Sequence, residues 1–342
     1  MSIWTLEQSK KYVDQLGQNV KSFGAKGSGI DNDTDAIMAC IDNLPNENSV
    51  LIIPPGTYLV DGLDIIGKSN MTILSLGATL KLASDSESSQ VLLIDDCPRF
   101  NAFGIRIDGN KDNQTDAVNG IVVTRSEFSS FDQSYLQNCS GDGVKLVGYA
   151  DGVAGTDEIH LNKFFIQSNI GNGLVINDVC DVNITACNIE FNGGTGLVIA
   201  SPLGFGAGNI DISGGCQILS NDLLGVELAD VGRVTMTNNH VRNNGGRGVY
   251  IHGGKEYLIK NNNIHANGRI VAYSGGLVVA YNSSGIIGGN IISCTDFAPT
   301  QGYGLEVYSV TNLILEPNII HNNLNEGMNI SEDSTVLTVL AS

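Results

Sequence analysis

The stretch GLVINDVCDVNITACNIEFNGGTGLVIA (173–200) decides the fold. A glycine is followed by aliphatic residues at the first and third places, then by two short alternating segments. The same glycine-led unit returns 23 residues later at Gly196. Working outward, the unit appears as GIVV at Gly120, GVKL at Gly143, GVEL at Gly225, GVYI at Gly248, GLVV at Gly276, GLEV at Gly304 and GMNI at Gly327. Successive glycines from Gly120 to Gly327 lie 23, 30, 23, 29, 23, 28, 28 and 23 residues apart, a 23-residue period with insertions of five to seven residues in four coils. Fixed-period self-similarity of this length marks a solenoid. Two or three short strands per repeat make it a parallel β-helix with coils about 4.8 Å apart. The Leu-x-x-Leu-x-Leu pattern of leucine-rich repeats is missing. Parallel crossovers are right-handed as a rule, which sets the expected hand.

Between the glycine strands run NITACNIEFN (183–192), VTMTNNHVRN (234–243), LIKNNNIHAN (258–267) and LILEPNIIHN (313–322). Asn tolerates the left-handed backbone of a sharp corner, and its amide can bond the Asn of the next coil. Asn239, Asn263 and Asn318 are expected to form such a ladder. Upstream of Gly120 the strands VLIIP (50–54), MTILSL (71–76), QVLLI (90–94) and AFGIRI (102–107) continue the rhythm. The fold class is therefore all-β, a right-handed single-stranded parallel β-helix of about twelve coils, roughly 60 Å long. Helical spacing of Ala36, Ile37, Cys40, Ile41 and Leu44, behind Asp33 as N-cap, predicts a helix over 33–44 that closes the N-terminal end of the core. Residues 1–18 read as a helical neck or extension, and residues 19–342 as the solenoid domain.

Composition limits the partners. Eighteen Lys and Arg stand against 36 Asp and Glu, a formal charge of −18. That balance argues against nucleic acid and against anionic membranes, and it keeps a strand-rich surface soluble. The seven cysteines are scattered without the pairing of a disulfide framework or zinc site and read as reduced, mostly core residues. The opening MSIWTLEQSKKYVDQLG lacks the apolar segment of a secretory signal, and no apolar run is long enough to span a bilayer.

The segment NVKSFGAKGSGIDNDTDAI (19–37) resembles the opening of the pectate-lyase-type superfamily of right-handed β-helices, shared by phage tailspikes, pre-neck appendage proteins and mannuronan epimerase catalytic modules. IPPGTY (53–58) and IRIDGNKDN (105–113) extend the likeness. The resemblance implies a poly- or oligosaccharide partner, glycoside hydrolase or polysaccharide lyase chemistry, a homotrimer, and a virion or extracellular setting. It also allows a noncatalytic glycan-binding spike, because this scaffold hosts several functions. The epimerase modules carry a Tyr-Gly-x-Asp-Pro-His strand. Here SGDGVKLVG (140–148) puts Asp142, Lys145 and Val147 in the places of its Tyr, Asp and His, so epimerase or pectate-lyase chemistry requires a relocated site.

Strand alternation identifies that location. After each glycine the first and third residues point inward, and the second and fourth outward. Most coils show small or aliphatic residues outside, but the coils from Gly225 to Gly304 show Glu227, Tyr250, His252, Glu306 and Tyr308. The expected catalytic residues are Tyr250 and His252 as acid and base, with Glu227 one coil away and Asp230 as the nearer carboxylate partner. Lys145, Glu306 and Tyr308 are expected to bind substrate. Glu227 and Glu306 stand three coils apart, roughly 14 Å, too far for a direct carboxylate pair. The insertions YADGVAGTDE (149–158), SPLGFGAG (201–208), GRIVAYSG (268–275) and TDFAPTQGY (295–303) wall the groove. No cofactor or metal is expected. Asp108 and Asp112 have the chemistry to hold a calcium ion, but Asx turn roles suit them better.

Overall fold

A computed structural model describes residues 17–150, 153–202, 204, 207–271, 274–294, 300–325 and 327–339. Three long parallel sheets run the length of the molecule, with 13, 12 and 11 strands, beside one short two-stranded hairpin. A complete coil contributes one strand to each long sheet. In the repeat quoted first, Val182–Thr185 belongs to the first sheet, Asn188–Glu190 to the second and Leu197–Ala200 to the third. The glycine-anchored strands form the third sheet. The chain is a right-handed parallel β-helix of roughly twelve coils.

Register explains how the insertions are tolerated. Leu174 pairs with Leu197 across a 23-residue interval, and Leu197 pairs with Val226 across 29. The extra residues leave at the corners, so the strands keep phase and no side chain switches face. Inward positions consequently stack like on like. Leu146, Ile176, Ile199, Leu228, Ile251, Val279 and Val307 form one buried column, at most 1 % exposed. A column of Phe100, Phe131 and Phe164 has ring centres 5.9 and 6.1 Å apart.

The helix Thr34–Asn43 covers the N-terminal end and buries Ile37, Cys40 and Ile41, with Ala36 packed at its margin. Asp33 is the N-cap residue, its carbonyl accepting the Ile37 amide at 3.0 Å, but its side chain makes no capping bond. Its carboxylate accepts the Lys26 and Gly27 amides at 2.6 and 3.0 Å, while Asn32 Oδ1 accepts the Thr34 amide at 2.9 Å. Asp33 therefore fastens the FGAKG turn to the helix. Of the expected neck, residues 1–18, all but the last two lie outside the described residues. Gln18–Asn19 is already a strand, pairing with Leu51 and Ile52.

The Asn ladder exists, shifted by one residue in one coil. The Oδ1 atoms of Asn262, Asn290 and Asn318 accept amide hydrogens from Asn239, Asn262 and Asn290 in turn, at 2.9–3.2 Å. Asn263, the expected rung, instead points outward on the strand Asn263–His265. The left-handed corner is taken by Asn238 and Asn261 (φ 59° and 57°), so the residue after each enters the core. A second buried column unites Asn169, Asn192, Asn221, Asn244 and Asn267 at the next corner, ending on Gln301 and Asn323.

Candidate active site

The outward rows of the third sheet are in register. Glu227, Tyr250, Val278, Glu306 and Asn329 form one row, and Ala229, His252, Ala280 and Tyr308 the other. Lateral pairing brings side chains of adjacent coils close together. His252 Nε2 and Glu227 Oε1 are 3.1 Å apart. The rings of Tyr250 and His252 stack with centres 4.6 Å apart and planes at 24°. The Arg247 guanidinium lies over the Tyr250 ring, 4.3 Å from its centre. Among the described residues Arg247 forms no ion pair.

Burial pushes the Tyr250 phenol up; Arg247 opposes the shift, while Tyr281 and Glu227 add to it. The phenol therefore keeps its proton at neutral pH. Two coils further on, Glu306 is 7 % exposed and accepts the Tyr308 hydroxyl. Asn329 Nδ2 donates to the same hydroxyl at 3.3 Å. Burial first, and then Glu306, hold Tyr308 up at about 12. Glu306 lies against Gly275, two residues before the neighbouring strand Leu277–Ala280. A Cβ on Gly275 would come within 2.4 Å of Glu306 Oε1, so only glycine allows that approach. The outward-facing Val278 and Ala280 are buried as well.

Tyr250, His252 and Glu227 thus meet as expected, and Glu306 pairs with Tyr308. Asp230 does not join them. It is an exposed left-handed residue (φ 55°) in the turn leaving the Glu227 strand, and its carboxylate occupies the space above Gly253. Lys145 is an outward residue between Val122 and Val175, three coils from Glu227. Asp142 is a structural rung: its Oδ1 accepts the Asn172 amide at 2.8 Å, and its own amide donates to Asn119 Oδ1 at 3.0 Å. Asp108 accepts from the Asn110 amide at 3.0 Å as an Asx turn, and Asp112 lies in the turn Lys111–Asn113. No cluster of three metal-ligating side chains occurs among the described residues.

Arg247, Tyr281, Gly275 and Asn329 were not singled out by the sequence reading. Arg247 had a detectable signal. The residue before each anchoring glycine is Asn119, Asp142, Asn172 and Thr195 in four successive coils, a chain of side-chain-to-amide bonds. Leu224 and Arg247 break that chain at the site.

The family profile described as "Rhamnogalacturonase A/epimerase, pectate lyase-like" matches residues 17–272, and "Right handed beta helix region" matches residues 206–341. The chain is 35 % identical to alginate lyase 7 of Azotobacter vinelandii over 120 residues, 31 % of this chain and 14 % of that one. It is 26 % identical to the mannuronan C5-epimerase AlgE5 of the same organism over 327 residues, 82 % of this chain and 32 % of that one. The chain therefore spans about a third or less of these curated relatives. In structure it is similar to the AlgE4 A-module of A. vinelandii, with TM-score 0.71, 21 % identity, and coverage of 93 % and 99 % of the two chains. It is also similar to the enzymatically active domain of bacteriophage CBA120 tailspike protein 2, with TM-score 0.67, 16 % identity, and coverage of 92 % and 51 %. These likenesses establish the same fold, and the profile match over residues 17–272 shows that this chain belongs to the rhamnogalacturonase A/epimerase, pectate lyase-like family.

Proposed function

We propose that this protein acts on an acidic polysaccharide by removing the proton next to a uronate carboxylate. The observation that carries this reading is Arg247, a cation without an ion-pair partner among the described residues, set beside the Tyr250–His252–Glu227 group. Its guanidinium fork suits a substrate carboxylate, and neutralising that carboxylate acidifies the adjacent C5–H. Glu227 holds His252 through Nε2, which leaves Nδ1 as the imidazole lone pair that takes the C5 proton. Tyr250 retains its proton and supplies it. Given to the departing glycosidic oxygen at C4, the proton completes β-elimination and leaves a C4=C5 double bond. Given to the opposite face of C5, it completes epimerisation. Hydrolysis by a carboxylate pair is poorly served, because Glu227 and Glu306 are three coils apart, about 14 Å, beyond the roughly 5–9.5 Å such pairs use.

The names of the relatives support the substrate class, since alginate lyase and mannuronan epimerase both act on uronates. The tailspike neighbour supports a virion or extracellular setting, and a homotrimer is part of the same proposal. The test is incubation with a panel of polyuronates in D2O, reading enone absorbance, reducing ends and deuterium at C5. Tyr250→Phe and His252→Ala should each lower turnover by about 10²–10⁴-fold. Reducing ends without unsaturation or C5 exchange would sink the proposal, as would unchanged turnover in both variants.

A further inference from the structure

We infer that a second site, on the second sheet, binds an anionic oligosaccharide away from the candidate active site. On that sheet Arg106, Tyr135 and Phe165 stand directly above one another in three consecutive coils. Strand alternation that buries Phe164 in the aromatic column turns Phe165 outward, where it remains 40 % exposed. Its ring centre is 6.2 Å from that of Tyr135, with planes at 31°. The Tyr135 hydroxyl donates to Gln137 Oε1 at 3.0 Å and accepts from Gln167 Nε2 at 2.5 Å. These bonds fix the ring, so a ligand loses little entropy in ordering it. Further along the same row stand Asn188, Gln217 and His240, so the outward aromatic pair, a half-buried Tyr135 and an exposed Phe165, is local to these two coils.

Arg106, Gln133, Tyr135, Lys163 and Phe165 line a cavity of about 370 Å3. That volume falls within the range of small-molecule sites. Arg106 and Lys163 are exposed, and neither forms an ion pair among the described residues. In a chain with twice as many acids as bases, two uncompensated cations beside two flat rings select a specific chemistry. The rings accept the apolar C–H face of a pyranose, the amides of Gln137 and Gln167 flank its hydroxyls, and the cations take a carboxylate or sulfate. The coil of Phe165 lies three coil steps from that of Tyr250, about 14 Å along the axis, and the two sites are on different sheets. This inference rests on the reading that acidic glycans are the partners, but on no chemistry at Tyr250 and His252.

The experiment uses the full chain carrying His252→Ala, titrated calorimetrically with defined-length oligogalacturonate and oligomannuronate and with neutral dextran oligomers. Binding of an oligouronate but not dextran is expected. Adding Tyr135→Ala and Phe165→Ala should weaken it by about tenfold or more, the loss of roughly one stacking contact. Tyr135→Phe should retain most of it, and Arg106→Gln with Lys163→Gln should flatten its salt dependence. Far-ultraviolet dichroism confirms folding of each variant. The inference is overturned if the aromatic variants bind like their parent, or if Arg247→Ala alone removes all binding. It is equally overturned if sedimentation shows self-association that Phe165→Ala dissolves, since the rings would then contact another copy.

Discussion

Replacing Asn244 with alanine tests whether the buried amide column holds the coils in register. Asn244 is fully buried and its Oδ1 accepts two hydrogens from Asn221, from the backbone amide and from Nδ2, each at 3.0 Å. Its own Nδ2 donates to Ile218 O at 3.2 Å and to Asn267 Oδ1 at 3.0 Å. Asn244→Ala leaves both Asn221 donors without this acceptor. Each stranded buried donor costs about 1–3 kcal/mol, so the variant should lose about 2–6 kcal/mol, with the lower end reached if a water enters the void. Asn263→Ala, in an outward row one coil later, is the control and should change stability by less than about 0.5 kcal/mol. Urea melts followed by dichroism give the midpoints, and amide exchange locates the loss. Since coils contact mainly their neighbours, exchange should rise first at Asn221 and its adjoining strands. A loss for Asn244→Ala no greater than that of the control would refute the claim that the column stabilises the fold.

The two raised phenols make a pH prediction with a definite sign. Tyr308 is held at about 12 in the folded chain against about 10 in an unfolded one, so its contribution is intact below pH 10 and disappears as pH rises through about 12. The stability difference between wild type and Tyr308→Phe should shrink over that window, and parallel curves would contradict it. Turnover that uses the Tyr250 proton should likewise keep its alkaline limb above the ordinary phenol range. The seven cysteines form no disulfide, and all but the half-buried Cys180 are buried. Burial also drives the Cys139 thiol far up. A thiol reagent should therefore modify at most about one cysteine in the native protein and all seven after denaturation, and prompt labelling of several native thiols would refute the packing described.

The scaffold was legible because the glycine-led strand repeats one in–out phase, and the insertions fall outside it. The three-Asn run at 261–263 was not legible, since only the backbone shows which Asn takes the left-handed corner. The column through Asn169, Asn192 and Asn221 was hidden for a related reason: turn-forming Asn and core-facing Asn look alike in sequence. At the site, Tyr250 and His252 follow from period two within one strand. Arg247 does not, because it precedes the strand and reaches the ring from a corner. The approach of Gly275 to the Glu306 carboxylate is a contact between coils that no local pattern encodes. The expected Asp230 partnership failed because the strand ends at Ala229 and the chain turns away.

The outward rows of the third sheet have a consequence for how such proteins acquire new chemistry. Val122, Val175 and Val198 occupy the same backbone address as Glu227, Tyr250 and Glu306, at fixed coil intervals along one axis. Their outward side chains lie outside the stacked inward columns that hold the coils together. A reactive group can thus be deleted at one address and rebuilt at another by point substitution, leaving the backbone untouched. The active centre becomes a movable inscription on a stable ribbon, and related chains can share a fold while keeping their chemistry on different coils.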